Sequence, residues 1–158
     1  MDEEIDKKLL EDIIRRYEQA QFTVNRQLNA MMRDFVPEEI TVDQYATLRY
    51  IHQQRRCTSS ELAEVFCVAK SSISAIITRL FDKQLIDRVP DEKDRRVTYL
   101  TLTDKGKAIS EEMERLIQER LAKYLGAFNH EEARHFINTY EKLALVLTQG
   151  DERGGTQA

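Results

Sequence analysis

The first 105 residues of this chain contain no glycine, and the chain has only two prolines, Pro37 and Pro90. Glycine and proline are the residues that most often end helices and form turns. Their scarcity favours helices joined by short connections. Three of the five glycines, at positions 150, 154 and 155, lie in the polar C-terminal stretch, which we expect to be frayed.

Length and composition indicate one soluble, helix-rich folding unit. Of the 158 residues, 41% are apolar and 33% are charged, as is typical of globular proteins. The longest apolar runs, residues 65–69 and 143–147, are far shorter than the roughly 18 to 20 residues that cross a bilayer. The acidic N-terminus lacks the basic start and apolar stretch of a secretory signal. We therefore expect a cytoplasmic protein with no membrane partner.

Cys57 and Cys67 are too few for a disulfide framework, and a reducing cytosol would keep them as thiols. Cys67 lies in an apolar run, so core packing is the favoured interpretation of both residues. The alternative is oxidant sensing, which requires an exposed thiol with a lowered pKa.

The basic charge of the chain is concentrated in its middle. The whole chain has a net charge of −4, which argues against indiscriminate coating of nucleic acid. Residues 55–106, however, carry 10 Lys and Arg against 8 Asp and Glu, a local charge of +2. A basic segment within an acidic chain is consistent with a confined nucleic-acid surface.

Apolar residues recur every three or four positions from Ile5 to Phe35, which predicts one amphipathic helix over about residues 6–35. Other apolar residues lie outside this stripe, namely Leu10, Ile14, Phe22 and Met32. A lone surface helix does not need so many apolar positions. We therefore expect part of this helix to pack on another subunit.

Capping patterns predict where four further helices begin. Thr41 with Gln44 and Thr58 with Glu61 have the spacing of capping boxes. The second box starts a short helix, residues 59–66, and a further helix follows at residues 70–83. Towards the C-terminus, Thr103 is expected to cap a long helix that ends at Gly126. Asn129 is expected to cap the last helix.

Between residues 85 and 102 the pattern changes to β-branched and aromatic residues around a charged stretch, which predicts a β-hairpin with a charged tip. A short helix, a turn, a second helix and a hairpin suit double-stranded DNA as a partner. The second helix has a slim polar face that suits a major groove roughly 12 Å wide. Its candidate DNA contacts are Lys70, Ser71, Ser72, Ser74, Thr78 and Arg79.

The predicted hairpin tip carries Lys93, Arg95 and Arg96. At the end of a stiff hairpin, a guanidinium can enter the narrow and electronegative minor groove. Asp94 could orient that guanidinium through a paired hydrogen bond. The alternative is a solvated turn whose arginines are balanced by neighbouring acids.

The run LAEVFCVAKSSISAIITRLFDKQLI, residues 62–86, is followed by DRVPDEKDRRVTYLTLTDKGKA, residues 87–108. Together they resemble the winged helix-turn-helix core of the MarR family of bacterial transcription regulators. The resemblance implies a mainly α fold with a small β-hairpin wing (α+β). It also implies an obligate homodimer in which the terminal helices of both subunits interleave. By the same resemblance, residues 70–79 are the recognition helix, Arg96 is the minor-groove residue and Asp94 is its partner.

The resemblance also implies a division of the chain. Residues 1–40 and 104–148 would form a helical dimerisation region, residues 41–103 the DNA-binding lobe and residues 149–158 a flexible tail. Tyr17, Phe22, Tyr45 and Tyr50 would line a pocket for a small aromatic or amphipathic effector. For these aromatic residues the alternative is ordinary core packing.

The sequence departs from the family pattern at four positions. Ala69 stands where a capping Ser or Thr is common, and Ala75 where a basic residue often contacts DNA. Cys67 and Gln84 stand where glycine is frequent. We therefore expect lighter base readout and more reliance on phosphates and DNA shape.

Catalytic and metal-binding patterns are not recognisable. His130, Glu131 and His135 could supply metal ligands, but zinc needs three or four suitably spaced ones, so solvated histidines are the favoured interpretation. No phosphate loop or nucleophile with a base is evident, and we expect no enzymatic activity, metal or cofactor.

The resulting hypothesis is a sequence-specific DNA-binding regulator. It would be a ligand-responsive repressor that acts as a homodimer on a pseudo-palindromic operator. The alternative is a helical interaction or scaffold protein whose basic face is incidental. DNA affinity that falls steeply with salt would favour the regulator.

Overall fold

A computed structural model describes residues 6–154 of the chain. Six helices and one hairpin follow in order: α1 (Lys7–Phe35), α2 (Val42–Gln54), α3 (Ser59–Val65), α4 (Lys70–Asp82), β1 (Ile86–Pro90), β2 (Thr98–Leu102), α5 (Asp104–Leu125) and α6 (His130–Gly154). The described residues form two compact units, residues 6–117 and residues 118–154. None of the described helices is long and apolar enough to cross a membrane. The mainly α fold with a small β-hairpin is confirmed.

Helix α1 matches the predicted helix over residues 6–35. The carboxylate of Asp6 accepts a hydrogen bond from the backbone N–H of Lys8, and the helix ends at Phe35, with Val36 as its C-cap directly before Pro37. None of the residues of α1 is buried. Apolar residues such as Leu9, Ile13 and Phe22 are exposed, whereas Met32 and Phe35 near the end of the helix are half-buried.

Both predicted capping boxes are present. The Thr41 hydroxyl accepts from the Gln44 N–H at 3.2 Å, and the Gln44 side chain accepts from the Thr41 N–H at 3.4 Å. Thr58 and Glu61 make the same reciprocal pair at 3.2 Å and 2.6 Å. These bonds satisfy backbone donors that the first turn of a helix leaves free. They set where α2 and α3 begin.

The core of the first unit lies between α2, α3, α4 and the hairpin. Its most deeply buried side chains include Tyr45, Leu48, Ile51, Leu62, Ile73, Leu80, Leu85 and Ile86. On α4 the buried residues are Ile73, Ile77 and Leu80, which recur every three or four positions. This burial turns the small polar face of α4 to solvent.

Strands β1 and β2 form the predicted antiparallel hairpin, with Ile86 opposite Leu102 and Pro90 opposite Thr98. A third segment, which the sequence pattern did not predict, pairs with its edge. Cys57 pairs with Leu100: the Cys57 N–H donates to the Leu100 carbonyl at 3.2 Å, and the Leu100 N–H donates to the Cys57 carbonyl at 2.8 Å. The connection between α2 and α3 is thus hydrogen-bonded to the hairpin.

Three residues with side chains take the left-handed conformation that glycine usually adopts. They are Arg55, Cys67 and Gln84, with φ angles of 68°, 51° and 59°. Cys67 and Gln84 are the positions at which the family pattern favours glycine. The tight connections of the glycine-free region are therefore built from residues for which this conformation is costly.

Core packing is confirmed for Cys57, which is buried, and is wrong for Cys67, which is exposed. The physical reason is the turn after α3. Cys67 follows the last helical residues of α3 in the left-handed conformation, so its side chain points away from the core although its sequence neighbours are apolar.

The start of α5 is fixed against the connection between α4 and β1. The Thr103 hydroxyl donates to the Gln84 carbonyl at 2.7 Å and accepts from the Gly106 N–H at 3.0 Å. A Cβ atom on Gly106 would lie 2.0 Å from the Leu85 carbonyl oxygen. The predicted Thr103 cap is therefore confirmed, and only glycine fits at position 106 without a backbone shift.

The second unit contains the end of α5 and helix α6. Asn129 caps α6 as predicted, because its side-chain oxygen accepts from the N–H groups of Glu131 and Glu132, both at 3.0 Å. The helix runs to Gly154, past the predicted start of a flexible tail at residue 149. Glycine lowers helix propensity without forbidding helical geometry, so the glycine at 150 does not end the helix. Residues 155–158 of that predicted tail lie outside the described residues.

Candidate nucleic-acid interface

All six candidate contacts predicted on α4 are exposed on its surface: Lys70, Ser71, Ser72, Ser74, Thr78 and Arg79. The Thr78 hydroxyl donates to the Ser74 carbonyl within the helix at 2.9 Å. Its oxygen can still accept a hydrogen bond, because the residue is exposed. Small side chains between Lys70 and Arg79 leave this face slim enough for a major groove.

The N-terminus of α4 has no side-chain cap, because Ala69 occupies the N-cap position with extended backbone angles. Free N–H groups and the positive end of the helix dipole attract anions. A phosphate oxygen can therefore accept at this helix end. The missing cap agrees with the expectation that DNA binding relies more on phosphate contacts and less on base readout.

The tip of the hairpin is shaped by the carboxylate of Asp91. One of its oxygens accepts from the N–H groups of Lys93 and Asp94, each at 2.8 Å, and the Asp91 N–H donates to the Val97 carbonyl at 2.9 Å. The hydrogen bonds from the Asp94 and Lys93 N–H groups lower the pKa of Asp91. The turn therefore depends on an ionised carboxylate.

Asp94 holds Arg96 in the way the sequence predicts. Its Oδ1 accepts from Arg96 Nε at 3.1 Å and from the Arg96 backbone N–H at 3.0 Å, while Oδ2 accepts from Arg96 Nη2 at 3.1 Å. The side-chain hydrogen bonds from Arg96, followed by the backbone one, lower the pKa of Asp94. The Arg96 side chain is 91% exposed. Arg96 is therefore oriented and fully accessible at once.

Lys93 and Arg95 are also exposed at the tip. The stretch from Asp91 to Arg96 contains three acids and three bases, yet two of the acids are occupied by the turn itself. Asp91 and Asp94 are half-buried, whereas the three basic side chains are exposed.

The four predicted effector residues do not share one environment. Tyr17 and Phe22 are exposed on α1, the latter to 67%. Tyr45 is 1% exposed, and Tyr50 packs edge-on against Phe66 with 6.2 Å between ring centroids. The hydroxyl of Tyr45 has no hydrogen-bond partner among the described residues, and burial raises its pKa.

One surface cavity of about 310 Å³ lies in the first unit and is lined by His52, Arg55, Leu102 and Lys107. None of the four predicted aromatic residues lines it. Within residues 6–154, no three His, Cys, Asp or Glu side chains come together as a metal site requires. His130 and His135 are exposed.

Two arginines at the wing were missed by the sequence reasoning. The Arg56 guanidinium lies over the Tyr99 ring, and the Arg88 guanidinium over the Phe81 ring, with Cζ 4.3 Å and 4.8 Å from the ring centroids. Arg56 and Tyr99 are distant in the sequence, whereas Arg88 and Phe81 are seven residues apart, in a strand and a helix that meet only in the fold. Helix and strand periodicity carried no signal for either contact.

Comparison with known proteins agrees with this arrangement. The MarR family model matches residues 40–98, which run from the start of α2 through the hairpin tip. Over this stretch the chain is similar to the MarR family. The predicted recognition helix and wing tip both fall inside the matched region.

Solved structures with the same fold extend over most of the chain. A MarR-family protein from Bacillus stearothermophilus has 27% identity and a TM-score of 0.77, covering 87% of this chain and 97% of that one. Streptococcus pneumoniae FabT, in complex with DNA, has 21% identity and a TM-score of 0.76, covering 86% and 98%. A cysteine-to-serine mutant of Escherichia coli MarR, in complex with operator DNA, has 23% identity and a TM-score of 0.70, covering 84% and 96%. FabT and E. coli MarR are less than 25% identical to this chain, so their similarity to it concerns the fold alone.

Proposed function

We propose that this chain is a sequence-specific DNA-binding transcription regulator. The observation that carries the proposal is the pairing of two surfaces in one MarR-family domain. Helix α4 exposes a slim face of hydroxyl and basic residues, and the wing presents Arg96 clamped by Asp94. A recognition helix in the major groove and an arginine in the adjacent minor groove together contact both grooves of the DNA. FabT and E. coli MarR, which share the fold, were solved bound to DNA.

On α4, Lys70 and Arg79 would contact phosphates, while Ser71, Ser72, Ser74 and Thr78 would reach base edges and nearby phosphates. On the wing, Lys93, Arg95 and Arg96 would contact the backbone and the minor groove, with Asp94 orienting Arg96. Short hydroxyl side chains read bases with little selectivity. Specificity would therefore depend in part on DNA shape.

The regulator would act as a homodimer. Helix α1 has no buried residue, and its exposed apolar side chains include Leu9, Leu10, Ile13, Ile14, Phe22 and Val24. In the second unit, α6 also exposes apolar residues, among them Leu145, Val146 and Leu147. Surfaces of this kind are typical of subunit contacts. Residues 1–40 and 104–148 would form the dimerisation region, and residues 41–103 the DNA-binding lobe.

We further propose that the regulator is a repressor that acts in the cytoplasm on a pseudo-palindromic operator and responds to a small aromatic or amphipathic effector. Among Tyr17, Phe22, Tyr45 and Tyr50, Tyr45 has the most support, because its buried hydroxyl lacks a partner among the described residues. An effector that prefers one dimer geometry would change the spacing of the two recognition helices. This function requires no catalysis and no cofactor.

The test is a fluorescence-anisotropy titration of the full chain with the DNA upstream of its own gene, with an unrelated duplex as the control, at two salt concentrations. A regulator binds the upstream DNA more tightly and loses affinity steeply as salt rises. Equal and weak binding to both duplexes would contradict recognition of that DNA. Absence of binding to either duplex at low salt would favour the interaction-protein alternative.

A further inference from the structure

Arg56 lies in the connection between α2 and α3, and its guanidinium covers the ring of Tyr99 on strand β2. The Arg56 Cζ atom is 4.3 Å from the ring centroid, within the range of about 6 Å over which a cation is attracted to an aromatic face. Arg56 is exposed and Tyr99 is half-buried. The contact therefore lies at the surface, on the side of the wing.

The strand register explains why these two side chains meet. Cys57 pairs with Leu100 in an antiparallel bridge, and both side chains are buried. Successive side chains of an extended segment point to opposite faces. Arg56 and Tyr99, one residue before each member of that pair, therefore lie together on the outer face as diagonal neighbours. The backbone bridge determines the contact.

The inner face of the wing has a matching contact. Arg88 is paired with Leu100 across the hairpin, and its guanidinium lies over the Phe81 ring of α4, with Cζ 4.8 Å from the centroid. The hairpin is thus held from both faces. Arg88 joins it to the recognition helix, and Arg56 joins it to the segment that precedes α3.

Arg56 also acts on the turn that carries Arg96. Hydrogen bonds from the Asp94 and Lys93 N–H groups lower the pKa of the Asp91 carboxyl group that shapes this turn, and the positive charge of Arg56 acts in the same direction. One guanidinium therefore stabilises both strand β2 and the turn at its end. Asp94, within that turn, holds Arg96.

We propose that Arg56 is a positioning residue for the wing, which fixes Tyr99 and the turn at residues 91–97 so that Arg96 is held where it enters the minor groove. Arg56 acts through Arg96 and does not contact the duplex. The inference rests on the proposed function, which it deepens by assigning a residue outside the recognition helix and the wing tip.

The first test compares Arg56→Gln with Arg55→Gln. Arg55 is the adjacent exposed arginine, so both variants lose the same charge, and only the first loses the ring contact. We expect Arg56→Gln to bind the upstream DNA about 3- to 5-fold more weakly than Arg55→Gln, as the strength of an exposed cation–π contact implies. Arg56→Lys should recover part of the loss, since an ammonium group also attracts the ring. Equal affinities of the two Gln variants would overturn the proposal.

The second test repeats the comparison in an Arg96→Ala background. If Arg56 acts through Arg96, Arg56→Gln and Arg55→Gln should lower DNA affinity equally in the Arg96→Ala background. A contribution that persists in this background, with a salt slope reduced by about 1, would mean that Arg56 contacts a phosphate itself, and would overturn the positioning role.

The third test needs no DNA. Backbone order parameters from ¹⁵N relaxation report the fast motion of residues 91–97 in the free protein. We expect lower values in Arg56→Gln than in Arg55→Gln, at equal melting temperatures. Unchanged order parameters would overturn the proposal. If the wild-type protein fails to bind DNA, the proposed function fails, and this measurement still decides whether Arg56 orders the wing.

Discussion

Asp91 and Asp94 shape the wing tip and leave its basic side chains available to DNA. Each carboxylate accepts backbone N–H groups of the turn, and Asp94 also accepts from the side chain of Arg96. In sequence these acids resemble charges that cancel their basic neighbours. In the structure they hold the tip in one conformation, which reduces the entropy that Arg96 loses when it binds.

Gly106 is the residue at which an added methyl group should be least tolerated. A Cβ atom there would lie 2.0 Å from the Leu85 carbonyl oxygen, whereas at Gly126 the nearest atom, the Ala122 carbonyl oxygen, is 3.2 Å away. We expect Gly106→Ala to lower the free energy of unfolding by about 2 to 3 kcal/mol, because the backbone has to shift. Gly126→Ala is the matched control and should change it by less than about 1 kcal/mol. Urea denaturation measures both, and equal effects would contradict the close contact at Gly106.

The two cysteines should react differently with a thiol reagent at neutral pH. Burial, with a smaller effect of the Glu61 carboxylate, raises the pKa of Cys57 to about 12, and Cys67 is exposed. Because the thiolate is the reactive form, one thiol per chain should react in the folded protein and two after unfolding. Cys67→Ser should remove the fast reaction. A fast reaction that survives this substitution would contradict the burial of Cys57.

Residue-level prediction from the sequence succeeds where the helical period decides exposure. The polar face of α4 follows from the spacing of Ile73, Ile77 and Leu80. Prediction of exposure from the sequence fails for Cys67, because the direction of that side chain depends on one left-handed backbone angle. Residue-level prediction also fails for Arg56, whose partner Tyr99 comes close only once the fold has formed.

At the scale of elements, α4 differs from its neighbours in its uncapped start. We expect Ala69→Ser to raise the free energy of unfolding by about 1 kcal/mol, since a serine hydroxyl can accept from the first turn. Thr58→Ala, which removes an existing cap, should lower it by a similar amount. Urea denaturation of both variants measures these changes in the free energy of unfolding and tests whether Ala69 is the N-cap of α4. A destabilised Ala69→Ser variant would show that the N-terminus of α4 cannot accept a cap.

Element boundaries are well predicted wherever a cap marks them. Thr41, Thr58, Thr103 and Asn129 all cap the helices that the sequence assigns to them. The bridge between Cys57 and Leu100 was missed, because one residue pair is too short to show an alternating pattern. Helix α6 continues through the glycine at position 150 to Gly154, beyond residue 149, where the flexible tail was predicted to begin.

At the scale of the whole molecule, the exposed apolar residues of α1 form the proposed surface for dimerisation. We expect the chain to sediment as a dimer. Ile13→Arg should weaken the dimer and, with it, DNA binding, because two recognition helices on one operator require two subunits. Glu11→Arg, an exposed and polar position on the same helix, is the control. Sedimentation velocity over a range of concentrations measures both. A dimer unaffected by Ile13→Arg would exclude this part of α1 from the interface.

The excess of apolar residues on α1 was visible in the sequence, and the structure leaves Leu10, Ile14 and Phe22 exposed and Met32 half-buried. The partner surface was not visible, since a single chain does not contain it. The operator and the effector are separate molecules, and the amino-acid sequence does not contain them. The sequence therefore indicates the class of partner without identifying either molecule.

The most direct test of DNA recognition by the wing is the effect of Arg96→Ala on operator affinity, measured by fluorescence anisotropy beside Lys123→Ala, which removes an exposed charge from the last turn of α5. Arg96 is almost fully exposed, so both variants should keep the wild-type melting temperature. The account predicts at least about a tenfold loss of affinity for Arg96→Ala, in the range of specific side-chain contacts to DNA, and little change for Lys123→Ala. Equal affinities of the two variants would contradict the assignment of the wing as a DNA-reading element.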